Sequence, residues 1–242
     1  MVSKETVEIL DVPFIHTTKK EFLYNIVFPK VDNENKCFIV TANPEIVMYA
    51  KENPSYLETL LKADYVVADG IGIIIASKML NKTLPERIAG IELMEDMLVY
   101  ANKHRKSVYL FGAKDDVVKK TGENISRKYP DGKIAGYHHG YVDIEDETVF
   151  QQIKETEPDF VFVALGYPKQ EEWININKDR LSKGIFMGVG GSFDILAGVA
   201  KRAPNIFIKL NLEWLYRLMS NPSRFGRMLK LPKFIIHILR GK

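Results

Sequence analysis

The chain has 242 residues, 46% hydrophobic and 27% charged, which suits one soluble globular domain, or one with an appendage, and excludes a disordered chain. Its single cysteine, Cys37 in the apolar run CFIVTAN, excludes an internal disulfide and reads as a small core residue. The net charge of +3 hides an asymmetry: Lys201 to Lys242 hold ten Lys or Arg and one acid, Glu213, while the rest carries 24 basic and 30 acidic residues.

The first residues, MVSKETVEIL, lack the apolar core of a signal peptide. No later run approaches the ~18 apolar residues of a spanning helix. In chain order the predicted strands are CFIVTA (37–42), YVVA (65–68), SVYLFG (107–112), KIAGY (133–137), DFVFVAL (159–165) and GIFMGVG (184–190). They are continuous apolar runs, the pattern of strands buried on both faces of a parallel sheet. Predicted helices cover Pro44 to Asn53, Ile71 to Leu80, Glu92 to Lys103, Lys114 to Tyr129, Glu145 to Thr156 and Lys169 to Asp179. The alternation predicts an α/β, Rossmann-like layered domain with a mainly parallel sheet over residues 1–200, followed by a basic helical appendage over 201–242.

In such a sheet ligands bind beyond the carboxyl ends of the strands. Thr41, at the end of the first strand, and Asn43, just after it, read locally as a helix cap. Asp69 follows YVVA; from its tetrapeptide alone, cap and general base stand level. Gly112 and Ala113 form a turn into a helix whose free N–H groups favour phosphate. Gly136 and Tyr137 open a glycine- and aromatic-rich loop suited to covering a nucleobase; its adjacent His138 and His139 have no third ligand at metal spacing. Gly166 and Gln170 follow DFVFVAL, and Gly191 and Asp194 follow GIFMGVG, where consecutive glycines let backbone approach a ligand. Neither G-x-x-x-x-G-K-[ST] nor, after any strand, G-x-G-x-x-G occurs, which counts against a dinucleotide oxidoreductase. No Asp-x-Asp pair is placed to hold a metal on a diphosphate.

The tail interleaves Trp214, Phe225, Phe234 and many Leu and Ile with its basic residues, broken by Pro204, Pro222 and Pro232. That composition suits an amphipathic segment lying on an anionic membrane, ahead of the alternative, a helical pair docked on the core with solvated charges. No nucleic-acid-binding motif accompanies the charge. The tail's apolar residues suit a twin subunit as well as lipid, so oligomeric state stays open.

TANPE (41–45), ADGIG (68–72), RIAG (87–90), GYPKQEEW (166–173), GVGGSFDILAG (188–198) with KRAP (201–204), and LEWLYRL (212–218) with NPSRFGR (221–227) occur in that order. In this the chain resembles the WecG/TagA/CpsF glycosyltransferases over essentially its whole length. The resemblance implies an inverting enzyme with a UDP-sugar donor and an undecaprenyl-diphosphate-linked N-acetylglucosamine acceptor, needing no metal or other cofactor. For the teichoic-acid branch, which the chain resembles most, it implies UDP-N-acetylmannosamine as donor, a β-1,4 product and a peripheral place on the inner face of the cell membrane. By the same resemblance Asp69 is the general base, and Thr41, Asn43, Arg87 and Gln170 are polar residues around it. Arg217, Arg224 and Arg227 are implied to reach the diphosphate. The loops at Gly112–Ala113, Gly136–Tyr137, Gly166 and Gly191–Asp194 are expected to bind the donor.

Overall fold

A computed structural model of the protein describes residues 5–220 and 230–240. The chain opens on an antiparallel hairpin of β1 (Thr6–Ile9) and β2 (Val12–Ile15). Its turn residues Leu10 and Asp11 both take positive φ, 49° and 68°. Two-residue hairpin turns of that backbone usually announce themselves by Asn-Gly or Asp-Gly. Leu-Asp carries no such signal, and these strands are absent from the sequence expectations. A helical arm follows: α1 (Lys19–Phe22), a π-helical stretch (Leu23–Val27) and α2 (Phe28–Asp32), opened by a Thr18–Glu21 capping box.

From there strands and helices alternate as expected. β3 (Lys36–Ala42) leads to α3 (Pro44–Glu52) and to an unanticipated second helix, α4 (Pro54–Leu61). β4 (Tyr65–Ala68) leads to α5 (Ile71–Met79) and α6 (Gly90–His104). β5 (Ser107–Gly112), α7 (Asp115–Lys128), β6 (Lys133–His138), α8 (Glu147–Thr156), β7 (Phe160–Ala164), α9 (Lys169–Asn177), β8 (Gly184–Gly188) and α10 (Ser192–Leu196) complete the body. The tail holds α11 (Asn205–Lys209), α12 (Glu213–Ser220) and α13 (Lys230–Arg240).

All eight strands form one sheet in the order β1-β2-β4-β3-β8-β7-β5-β6, and every pairing except β1 with β2 is parallel. Side chains alternate between two cores. In β3, Phe38 and Val40 join one core, and Cys37 and Ile39 the other. In β7, Val161 and Val163 part from Phe160 and Phe162 in the same way. Helices α3, α4, α5, α8 and α9 cover the first face, and α1, α2, α6, α7 and α10 the second. Burial on both faces is why the central strands read as unbroken apolar runs.

The tail joins the body. Helix α13 packs against α3 and α5, with Phe234 and Ile238 buried in the first core. Lys230 and Lys233 reach Glu52 at its edge. The tail also exposes Ile206, Leu210, Met219, Ile236 and Leu239.

At the end of β5, Gly112 takes φ +127°, and a Cβ there would lie 2.5 Å from the carbonyl carbon of Ala164 in β7. Gly112→Ala should lower stability by about 2–3 kcal/mol through this strain and clash. The urea midpoint reads the loss, with an unchanged slope showing that the unfolded state is not the cause.

Candidate active site

The carboxyl ends of three adjacent strands, β4, β3 and β8, meet at one place. Asp69 follows β4, and its N–H donates to Ala42 O of β3 at 2.9 Å. The Ile88 N–H donates to Ala68 O at 2.8 Å, which draws the segment before α6 onto the end of β4. Thr41, next to last in β3, donates through Oγ1 to Gly188 O of β8 at 3.4 Å. Gly90 leaves Thr41 just enough room, since a Cβ at Gly90 would meet Thr41 Oγ1 at 3.0 Å.

Two hollows open here. A polar cavity of about 500 Å³ is walled by Thr41, Asp69, Gly90, Gly191, Asp194 and Lys201, among others. A groove of about 280 Å³ carries Asn43, Asp69 and Arg87 at one end; its apolar walls come from Ile71 and Ile75 of α5, Trp214 and Leu218 of α12, and Leu231, Phe234 and Ile235 of α13. Asp69 and Glu213 are the two residues that line both. Tail residues thus close one side of each hollow: Lys201, Glu213 and Tyr216 for the cavity, and α12 with α13 for the groove.

Asn43 Oδ1 accepts the Ile46 N–H at 3.0 Å and caps α3, as its local sequence suggests, while also lining the groove. Arg87 donates through Nη1 to Glu213 Oε2 at 2.6 Å. The side chains of Arg217, Arg224 and Arg227 lie outside the described residues, although the backbone of Arg217 belongs to α12.

Gln170 is 5% exposed and borders neither hollow. Its Oε1 accepts the N–H of Gly166, after β7, and the N–H of Gly190, after β8, both at 3.1 Å. Its Nε2 donates to Glu171 Oε1 at 2.7 Å. The amide therefore ties two strand-end loops together, and Glu171 decides which end of it faces them. Gly188 must be glycine for this arrangement, since a Cβ there would lie 2.5 Å from Gln170 Nε2. Glu171 Oε2 also accepts the Tyr56 hydroxyl at 3.1 Å.

Complete burial pushes the Glu171 carboxyl up to about 7, and burial with the Glu171 charge pushes the Tyr56 phenol up as well. A carboxyl whose folded pKa is raised binds its proton more tightly when native. Its contribution to stability is fully present below the unfolded value and is lost as pH climbs towards 7. Glu171→Gln, its amide nitrogen turned to the Tyr56 oxygen, should flatten the pH dependence of the thermal midpoint between about 4.5 and 7. An unaltered slope would show that other groups produce it.

The remaining expected positions lie further along the sheet. Ala113, with φ 57°, lines a third hollow of about 330 Å³ beyond β5 and β7, together with Gly140, Tyr141, Asp143, Leu165 and Lys169. Chain connections diverge here, β5 running outwards to β6 and β7 inwards to β8, which makes this a topological switch point. Gly136 lies within β6, packed on the Tyr109 ring, and Tyr137 beside it is 43% exposed. Gly166, Gly136 and Tyr137 border neither hollow at Asp69. Among the described residues no three His, Cys, Asp or Glu side chains are grouped to hold a metal ion.

Gly90, Lys201, Glu213 and Tyr216 carried no role in the sequence reading, although each falls inside a segment bearing the resemblance. Their signal was weak for a physical reason: none follows a strand of the sheet.

A layered α/β domain that sets one strand-end carboxylate between a polar cavity and an apolar groove has the layout of a transferase joining a polar donor to an amphiphilic acceptor. The chain belongs to the glycosyl transferase WecG/TagA/CpsF family, whose model matches residues 7–242. It is 45% identical over 237 residues to the N-acetylglucosaminyldiphosphoundecaprenol N-acetyl-beta-D-mannosaminyltransferase of Staphylococcus aureus strain MW2, covering 98% of this chain and 93% of the relative. The enzymes of the same name from strains NCTC 8325 / PS 47 and COL match with the same identity and coverage.

Proposed function

We propose that this protein is an inverting glycosyltransferase that moves N-acetylmannosamine from UDP-N-acetylmannosamine to undecaprenyl-diphosphate-linked N-acetylglucosamine, forming the β-1,4 bond of a wall teichoic acid linkage unit. The single observation that carries this reading is Asp69 at the meeting of a polar cavity and an apolar groove. The names of the relatives point the same way.

In this mechanism Asp69 takes the proton from the acceptor's 4-hydroxyl as that oxygen attacks the anomeric carbon from the face opposite UDP. The new glycosidic bond forms while the bond to UDP breaks, and the proton stays on Asp69. The leaving diphosphate needs positive charge. Helix α6 offers it: Ala89, at its N-cap, makes no side-chain cap, and Ala89, Gly90 and Ile91 line the polar cavity. Uncapped first-turn N–H groups favour an anion, and Lys201 adds a full charge beside them. Asp194, a carboxylate, suits the hydroxyls and N–H of the nucleoside. Thr41 holds β3 against β8 beside the base, Asn43 and Arg87 form the polar end of the groove, and Gln170 acts through the Gly166 and Gly190 loops. The Gly112–Ala113 turn after β5 and the Gly136–Tyr137 stretch of β6 lie two and three strands beyond β8 and suit a more distant part of the donor. Arg217, Arg224 and Arg227 supply further positive charge to the leaving diphosphate, since the planar guanidinium matches phosphate oxygens two at a time.

The groove suits the apolar end of the acceptor. Exposed apolar residues of the tail and its basic charge suit the anionic inner surface of the membrane. No helix among the described residues is long and apolar enough to cross a bilayer. Residues 201–242 accordingly act as a membrane-binding appendage that is also part of the site.

The test is UDP release from UDP-N-acetylmannosamine with and without a short-chain lipid-diphosphate-N-acetylglucosamine acceptor. Release that depends on the acceptor supports the reaction. Release only from another UDP-sugar would change the donor, and no release from any would return the protein to a binding role.

A further inference from the structure

We propose that Glu213 is a substrate-binding residue of the active site: one carboxylate oxygen holds Arg87 and the other takes a hydrogen bond from a hydroxyl or amide N–H of the incoming sugar. This rests on the transferase reading above. Glu213 is the only acid among the 42 residues from Lys201 onward, which otherwise hold ten cations. It is also 7% exposed, at the first position of α12. A carboxylate that only solubilised or docked the tail would gain nothing from burial, because removing it from water is costly.

The other described ion pairs between tail and body are more open. Lys230 and Lys233 meet Glu52, which is 37% exposed in its side chain, and Arg202 meets Glu92 and Glu95 with all three about a third exposed. Arg87 and Glu213 are 14% and 9% exposed in their side chains and 2.6 Å apart. Only Oε2 is engaged there. Oε1 is shielded from solvent and has no hydrogen-bond partner among the described residues. Buried acceptors are nearly always paired, so a lone one beside two hollows points to a donor that arrives with the ligand.

Position selects the kind of donor. Glu213 and Asp69 are the two residues bordering both hollows, so Glu213 stands where donor sugar and acceptor meet. A second carboxylate there repels a diphosphate. Hydroxyls and the N–H of an N-acetyl group are donors that a carboxylate accepts directly. The sugar is thus the part of the substrate that fits, and Arg87 balances the charge.

The experiment uses the full chain with UDP-sugar and the short-chain lipid acceptor. Glu213→Gln keeps the shape without the charge, and Glu213→Asp keeps the charge. E213Q should lose about 100-fold in kcat/KM, with E213D between it and wild type. Affinity for UDP alone, which lacks the sugar, should stay within about twofold. Resistance of the tail to trypsin should be unchanged. The Arg87→Ala/Glu213→Ala pair should lose less than the product of its single losses, because the two side chains act as a unit. Wild-type kinetics in E213Q overturn the proposal. So does a loss that comes with a trypsin-sensitive tail, which would make Glu213 a docking contact only. A wild-type protein inert towards every UDP-sugar is a different failure, seen in the control, and it overturns the reaction together with this role.

Discussion

Replacing Asp69 by Ala should lower acceptor-dependent UDP release by about 10²–10⁴-fold, the usual contribution of a positioned base. UDP affinity should change little, because the other strand-end residues around the polar cavity remain. Asp69→Asn is the sharper variant: it keeps the side chain's shape and one acceptor oxygen, while the amide carries no charge and cannot take the proton. Single-turnover measurement with saturating acceptor places the loss in the chemical step. Equal rates for the wild-type and D69N enzymes would remove Asp69 from the role of base; the cap that its local sequence also allows is not made, since the helix after it is capped at Gly70 with no side-chain hydrogen bond. Loss of UDP affinity in proportion to rate would make it a binding residue instead.

Truncation after Ala200 should have a comparable effect for a different reason. It removes Lys201, Glu213 and Tyr216 from the polar cavity, and Trp214, Leu218, Leu231, Phe234 and Ile235 from the groove. Acceptor-dependent release should fall at least about 100-fold, since the groove that would position the lipid no longer has two sides. UDP binding should survive, since α6 and the Gly191 loop belong to the body. Loss of the buried Phe234 and Ile238 costs about 3–6 kcal/mol of apolar burial. It also uncovers Ile71, Ile75 and the outer faces of α3 and α5, so the truncated protein should associate with itself, as light scattering will show. A truncated protein that keeps its acceptor-dependent rate would show that the body alone holds the lipid-linked substrate. The groove would then have another occupant.

Asp69 and the tail were both visible in the sequence, but not to the same depth. Asp69 is legible because a buried strand, YVVA, ends one residue before it, and strand ends are where an α/β sheet binds ligands. The tail is legible as basic and amphipathic, but composition left two destinations open. The structure packs α13 on α3 and α5 and leaves other apolar tail residues exposed, so docking on the core and an outward apolar surface coexist. The β1–β2 hairpin was hidden because each strand has four residues and the turn lacks glycine. Helix α4 was hidden because Pro54 follows α3 so closely that the two helices read as one helix and a loop.

What the sequence determined by itself is the layered α/β architecture and the line of strand ends on which a site can form. Both follow from local order: apolar runs long enough for strands, helices between them, and polar or glycine residues where the strands stop. Tertiary structure alone decided how those ends divide into a polar cavity and an apolar groove. It alone set Glu213 against Arg87, 126 residues apart in the chain, and turned the Gln170 amide away from the cleft to hold two loops. The physical reason is that charge, burial and hydrogen-bond partners belong to positions in space. A lone acid in a basic tail reads as a minor exception until folding buries it beside a guanidinium, with one oxygen left to fill.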